Sequence, residues 1–131
     1  MATVQRIFDT LDTSTLGGGS NASVTDTGQT SETIELDQWE GCHCFVEADF
    51  PGSPTDDLVI EVEASNDGVN FDTVPLFSFT VDNGEDVPGG FSKVSFIVTS
   101  VYAFRVKFAA SGSTDAINVF FRYRRWRWET A

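Results

Sequence analysis

The sequence predicts an all-β fold: a single antiparallel β-sandwich or jelly roll with an extended N-terminal arm and a short C-terminal extension. Composition is the first reason, because Val, Phe and Thr contribute 40 of the 131 residues against five Leu, one Met and two Lys. β-Formers therefore greatly outnumber strong helix formers. Periodicity is the second. Short stretches of alternating apolar and polar residues recur, with turn signals at the about 8–12-residue spacing typical of a two-layer sandwich. A chain of 131 residues suits one domain with a real core, and it shows no internal repeat.

The chain divides into residues 1–31, an arm or long loop; 32–124, the sandwich core; and 125–131, the extension. The arm carries a short apolar stretch with Val4, Ile7 and Phe8, then a tract rich in Gly, Ser, Thr and Asp around Gly17-Gly18-Gly19-Ser20-Asn21. That tract has little to bury, so it is expected to order when a partner holds it. Residues 31–37 read as a strand through Ile34 and Leu36. Residues 42–50 alternate more clearly, with Cys42, Cys44, Val46, Ala48 and Phe50 on one face and His43, Phe45, Glu47 and Asp49 on the other.

Pro51-Gly52-Ser53-Pro54 turns the chain into residues 58–65, where Leu58, Ile60, Val62 and Ala64 share a face. Asn66-Asp67-Gly68 signals a hairpin, since Asp-Gly tolerates the positive φ of a tight turn. Its return strand is expected at 69–76, interrupted by Pro75. Residues 77–81, 92–99, 103–109 and 116–123 complete the set, with a loop at 82–90 and a turn at 111–115. In the last strand the large apolar side chains move from odd positions (Ile117, Val119, Phe121, Tyr123) to even ones (Trp126, Trp128). A one-residue slip exchanges faces, so a bulge near Arg124-Arg125 or departure from the sheet is expected. Departure is the favoured reading, placing the extension on a neighbouring chain.

Charge is divided as sharply as polarity. Residues 1–104 carry 18 acidic and two basic side chains, a balance of −16, whereas 105–131 carry two acidic and six basic, a balance of +4. Arg122, Arg124, Arg125, Trp126, Arg127 and Trp128 thus form a basic, aromatic edge on an acidic body. Arg and Trp are frequent interface anchors, and complementary charge orients association. The bland reading is an edge strand whose arginines neutralise the protein's own carboxylates; a third is stacking on sugars or single-stranded nucleic acid. A net charge of −12 argues against nucleic acid as a partner. No long apolar run suggests a signal peptide or a membrane span, so synthesis in a cytoplasm is expected.

Candidate chemistry is sparse. Cys42-His43-Cys44 invites a metal, but alternation places His43 opposite the thiols and the chain has no other Cys or His, so reduced core cysteines are expected and no cofactor. Two cysteines at i and i+2 of a strand lie roughly 6.5–7 Å apart, which disfavours a disulfide between them. Asp82, Glu85 and Asp86 could hold Ca²⁺ weakly, though without EF-hand spacing; a solvated turn is the default. No triad order or phosphate-cradling loop is present, so the chain is expected not to be an enzyme.

The segment Val62-Glu63-Ala64-Ser65-Asn66-Asp67-Gly68-Val69-Asn70-Phe71 has the form V-x-x-S-x-D-G-x-x-aromatic. It resembles a hairpin of discoidin-like carbohydrate-binding modules and of small structural proteins of tailed bacteriophages. Ala103-Phe104-Arg105-Val106-Lys107-Phe108, with its following turn and closing strand, resembles the strand pair that comes next in those phage proteins. The resemblance implies a capsid decoration, or cement, protein on the virion exterior. Such a protein would be a homotrimer clamping neighbouring subunits of the major capsid protein, with Val4, Ile7 and Phe8 of the arm and the Arg/Trp edge as docking residues. The alternatives are a carbohydrate-binding module or tail-associated adhesin, stacking sugars on Trp126, Trp128 and Phe71, and a head-to-tail connector or tail component.

Overall fold

Backbone pairing turns the alternation into two antiparallel sheets. The computed structural model describes residues 3–16, 21–83 and 91–130. Their regular structure is β1 Val4–Phe8, β2 Asp12–Thr13, β3 Ala22–Val24, β4 Gln29–Thr30, β5 Ile34–Glu35, β6 Gly41–Asp49, β7 Leu58–Ser65, β8 Phe77–Val81, β9 Phe91–Thr99, β10 Ala103–Ala110 and β11 Ile117–Thr130. One sheet runs β1-β11-β6-β9, with β2 and β3 also along β11; the other runs β4-β10-β7-β8, with β5 also along β10. Since β1 to β3 share one edge position and β4 and β5 another, the strands fill four positions in each sheet. From β5 onward every connection except β7 to β8 crosses between sheets, which is jelly-roll connectivity. No helix among the described residues is long and apolar enough to cross a membrane.

The core lies between the sheets because each long strand buries alternate residues. Cys42, Cys44, Val46 and Ala48 of β6 face Leu58, Ile60 and Val62 of β7 and Phe104, Val106 and Phe108 of β10 across one continuous cluster. Phe108 and Phe121, from opposite sheets, meet with ring centroids 5.5 Å apart. Near the β8 and β9 edges, Phe77 and Phe79 pack edge-on against Phe96 at 5.8 and 5.4 Å. The cysteines are buried free thiols, and burial, reinforced by Cys42, pushes the Cys44 thiol up.

Three expectations are corrected. The N-terminal segment is not a free arm: β1 pairs with β11 from Val4↔Thr130 to Phe8↔Trp126, β2 and β3 follow down the same edge, and β4 pairs with β10. Leu16, Ala22 and Val24 enter the core. The Glu32 carboxylate accepts hydrogen bonds from Ser14 Oγ, Thr15 N and Tyr123 Oη, tying the segment to β11. Burial and the Glu32 and Asp12 charges push the Tyr123 phenol up. Backbone ladders and one carboxylate order its described residues, and neither leaves a hydrophobic periodicity to read; most of the Gly17-Gly18-Gly19-Ser20-Asn21 tract lies outside the described residues. Second, the C-terminal residues neither bulge nor leave: β11 stays in register with β6 from Asn118↔Asp49 to Trp126↔Gly41 and with β1 beyond. Third, the strand expected at 69–76 reduces to a Ser65↔Phe71 bridge, and the partner of β7 is β8.

That third difference follows from side chains that fold the 65–71 loop on itself. Ser65 Oγ donates to Asn70 O and accepts from Gly68 N, while Asp67 accepts from Val69 N and Asn70 N at 2.8 and 2.7 Å. Gly68 supplies the φ of +78°. Phe71 then lies 3.9 Å from the Arg105 guanidinium. The motif of residues 62–71 is thus a loop-folding device. At the end of the sandwich that holds the 111–115 turn, Asp56 accepts from Thr114 N and Asp115 N, and Asp115 accepts from Thr55 N and Asp56 N, latching two loops together.

These carboxylates make stability acid-sensitive. The Asn70 N–H, then the Asn70 side chain and Val69 N–H, hold Asp67 far below the usual range, and the Asp56 and Thr55 N–H groups lower Asp115. At Asp9 partial burial works upward, but hydrogen bonds from Arg125 and Thr10 N and the Arg125 and Arg127 charges outweigh it. Folded values below the unfolded value of about 4 stabilise the fold above that pH, and the contribution fades as pH falls toward the folded values. Thermal unfolding between pH 6 and 2 should show a melting temperature that drops below about pH 4, less steeply in Asp67→Ala; a flat profile contradicts this.

Candidate functional site

The outer face of the β1-β11-β6-β9 sheet gathers the chain's most unusual side chains. Continuous register puts even positions of β1 and β11 beside odd positions of β6 and β9. Val4, Arg6 and Phe8 therefore lie beside Trp128 and Trp126; Arg124, Arg122 and Phe120 continue down β11; His43, Phe45 and Glu47 line β6; Ile97, Ser95 and Lys93 line β9. Val4, Phe8, Ile97 and Trp128 are 60, 47, 55 and 49% exposed. A shallow depression of about 520 Å³ runs over His43, Phe45, Ser95, Phe96 and Ile97.

The arginines are interleaved with rings. The Arg6 guanidinium sits 4.8 Å from both Trp126 and Trp128 centroids, and the two indoles meet edge to face at 5.9 Å. Arg122 lies 5.3 Å from the Phe120 centroid and pairs loosely with Glu47 at 3.7 Å. Lys93 is also 3.7 Å from that carboxylate. Phe8 on β1 and His43 on β6 have ring centroids 6.5 Å apart, although β11 runs between their strands. The indole of Trp126 packs closely over Gly41: a Cβ there would stand 2.9 Å from Thr99 Cγ2 and 3.0 Å from the indole carbons. Gly41→Val should lift the indole, red-shift tryptophan emission and cost about 1–3 kcal/mol; unchanged emission and stability would contradict that packing.

Of the docking residues named from sequence, Val4, Phe8, Arg122, Arg124, Trp126 and Trp128 share this face, whereas Ile7, Arg125 and Arg127 lie on the opposite one. There Arg125 binds Asp9 Oδ2 through Nε and Nη2 at 3.0 and 2.7 Å and donates to Glu35 O at 3.2 Å. Arg125 and Arg127 also stack on Trp39 at 5.1 and 4.9 Å. Sequence reading placed His43 and Phe45 opposite the core without making them part of a site, and it missed Arg6, Phe120 and Ile97. The even-position phase of Val4 to Phe8 was the signal available for Arg6. Phe71 lies far from the face, against Arg105 on the other sheet. Among the described residues no group of three Cys, His, Asp or Glu side chains could hold a metal. Most of the 82–86 carboxylate loop lies outside the described residues.

No family model and no curated protein sequence matches the chain. Solved structures do share its fold. A subunit of Bacillus endospore appendages, described as disulfide-linked pili, aligns over 97% of this chain and 90% of its own at TM-score 0.51 and 12% identity. The enzymatically active domain of bacteriophage CBA120 tailspike protein 4 aligns over 93% of this chain at TM-score 0.54 and 14% identity, the match spanning 17% of that longer chain. The CBM22-1 xylan-binding domain of Paenibacillus barcinonensis Xyn10C aligns over 95% of this chain and 85% of its own at TM-score 0.52 and 10% identity. At such identities the likeness is one of β-sandwich architecture.

Proposed function

We propose that the chain is a non-catalytic assembly protein that decorates the exterior of a phage capsid. It would act as a homotrimer bridging subunits of the major capsid protein and dock through the outer face of the β1-β11-β6-β9 sheet. One observation carries the reading: on a chain of net charge −12, the described strand residues of this face set Arg6, Arg122, Arg124 and Lys93 against Glu47 and Asp49, among exposed aromatic rings. An acidic protein surface is repelled by most of the molecule and attracted here, which fixes the orientation of docking. The resemblance of the 62–71 loop motif to small phage structural proteins supports the virion setting, and the sandwich fold occurs in a phage tailspike domain. Clamping would be multivalent, each contact raising the effective concentration of the next.

A carbohydrate-binding reading draws on the same rings and on the fold shared with a xylan-binding domain. The ring planes disfavour it: Trp126 and Trp128 stand at 79° and His43 and Phe45 at 90°, so adjacent rings form no common platform for successive sugars. Sedimentation with shells of the phage that encodes the chain tests the proposal. Saturable binding at hundreds of copies per shell, lost in a Phe8→Glu, Trp128→Glu double variant that remains folded, is the expected result. A chain that stays in the supernatant, or tryptophan fluorescence that saturates with xylan instead, would overturn it.

A further inference from the structure

Arg124 stands at the centre of the docking face and is the arginine there that nothing satisfies. Its neighbours on β1 and β11 are all engaged: Arg6 by two indoles, Arg122 by Glu47 and Phe120, Arg125 by Asp9, Arg127 by Trp39. Arg124 makes no hydrogen bond, ion pair or ring contact among the described residues, and its Nε is buried without a partner. The two Nη groups are not buried with it, so the charged tip reaches the surface. Opposite lies His43, whose ring, with that of Phe8, closes over the strand at this position. A half-buried guanidinium two residues from Arg122 on the same face of β11, with no counter-charge, is a costly arrangement in isolation.

Resting on the docking reading above, we propose that Arg124 seats a single carboxylate from an acidic segment of the protein partner, an Asp or Glu side chain taken end-on by the two Nη groups. Charge and extent select this occupant. Binding a carboxylate relieves the like-charge repulsion along β11. A polyphosphate or other long polyanion would run past the patch onto Glu47 and Asp49 at one end and the acidic loops beyond. A neutral glycan leaves the guanidinium without its counter-ion.

The test uses the full chain, ¹⁵N-labelled, with a capped Glu-Glu dipeptide as probe at low salt. The expected result is a saturable shift of the Arg124 Nε–H and the Trp126 and Trp128 indole resonances, abolished by raising the salt concentration. Affinity should fall at least about tenfold in Arg124→Gln, less in Arg124→Lys, which keeps the charge without the planar fork, and little in Arg122→Gln, whose position is already served by Glu47. Wild-type affinity in Arg124→Gln overturns the seat. Tighter binding of digalacturonate than of the capped Glu-Glu dipeptide overturns the protein source of the carboxylate. In the shell assay, binding that Phe8→Glu, Trp128→Glu removes but Arg124→Gln spares sinks the seat and keeps the docking face; binding that neither changes sinks both.

Discussion

Phe121→Ala is expected to destabilise the fold by about 3–5 kcal/mol, enough to leave much of a domain of this size unfolded at moderate temperature. Phe121 is 1% exposed and Phe108 0%, and among the described residues no other aromatic pair joins the two sheets so deep in the core. Truncation removes the transfer free energy of a ring and leaves a cavity whose walls are β-strands. Ladder hydrogen bonds hold those walls in place, so collapse into the gap is limited. Urea unfolding should show a midpoint shift of that size with an unchanged slope. Phe108→Ala should cost a similar amount, and the double variant less than the sum by about 0.5–1.5 kcal/mol, the coupling of an aromatic pair. A loss below about 1 kcal/mol would mean that the sheets are joined mainly elsewhere.

That pair was legible in the sequence, because Phe108 and Phe121 sit in phase with their neighbours on two alternating strands. Cys42, Cys44, Leu58, Ile60 and Val62 were legible for the same reason, and together they define the sandwich. Alternation failed wherever a position's polarity reports something other than the core. On β11 the change at Trp126 reads as a slip of register, yet the backbone pairing never slips. β11 is 14 residues long and outruns the interior, so past Tyr123 its inward face meets Trp39 and Asp9 while its outward face keeps its rings. The large apolar side chains changed face because the function of the faces changed. The N-terminal strands were hidden for a different reason: two-residue pairings such as Asp12–Thr13 are too short to carry a period. The docking face was half legible, since an Arg/Trp run is visible in sequence, but which arginines are spare depends on partners distant in the chain, such as Asp9 for Arg125.

Arg125→Ala follows from that last distinction, and its expected effect is on folding. The guanidinium is an internal staple: Nε and Nη2 hold Asp9 just after β1, Nη1 holds Glu35 O on the opposite sheet, and the plane lies 5.1 Å from the Trp39 centroid. Both partners in the ion pair are mostly covered, at 27 and 24% side-chain exposure, so solvent screens the pair less than an open surface bridge. Charged hydrogen bonds of this kind contribute about 1.5–3 kcal/mol each, and the loss also leaves Asp9 partly buried without its counter-charge. A total near 2–4 kcal/mol is expected, with faster amide exchange at the β1 residues Gln5 and Ile7, because the Asp9 tether fixes the end of that strand. Arg124→Ala, one residue away on the other face, should leave both stability and β1 exchange near wild type, since no bond is broken and an orphaned donor is removed. Equal stability losses in the two variants would show that the faces of β11 do not divide the work between staple and docking. A loss confined to Arg125 would leave Arg124 as an arginine retained at the surface without a structural task.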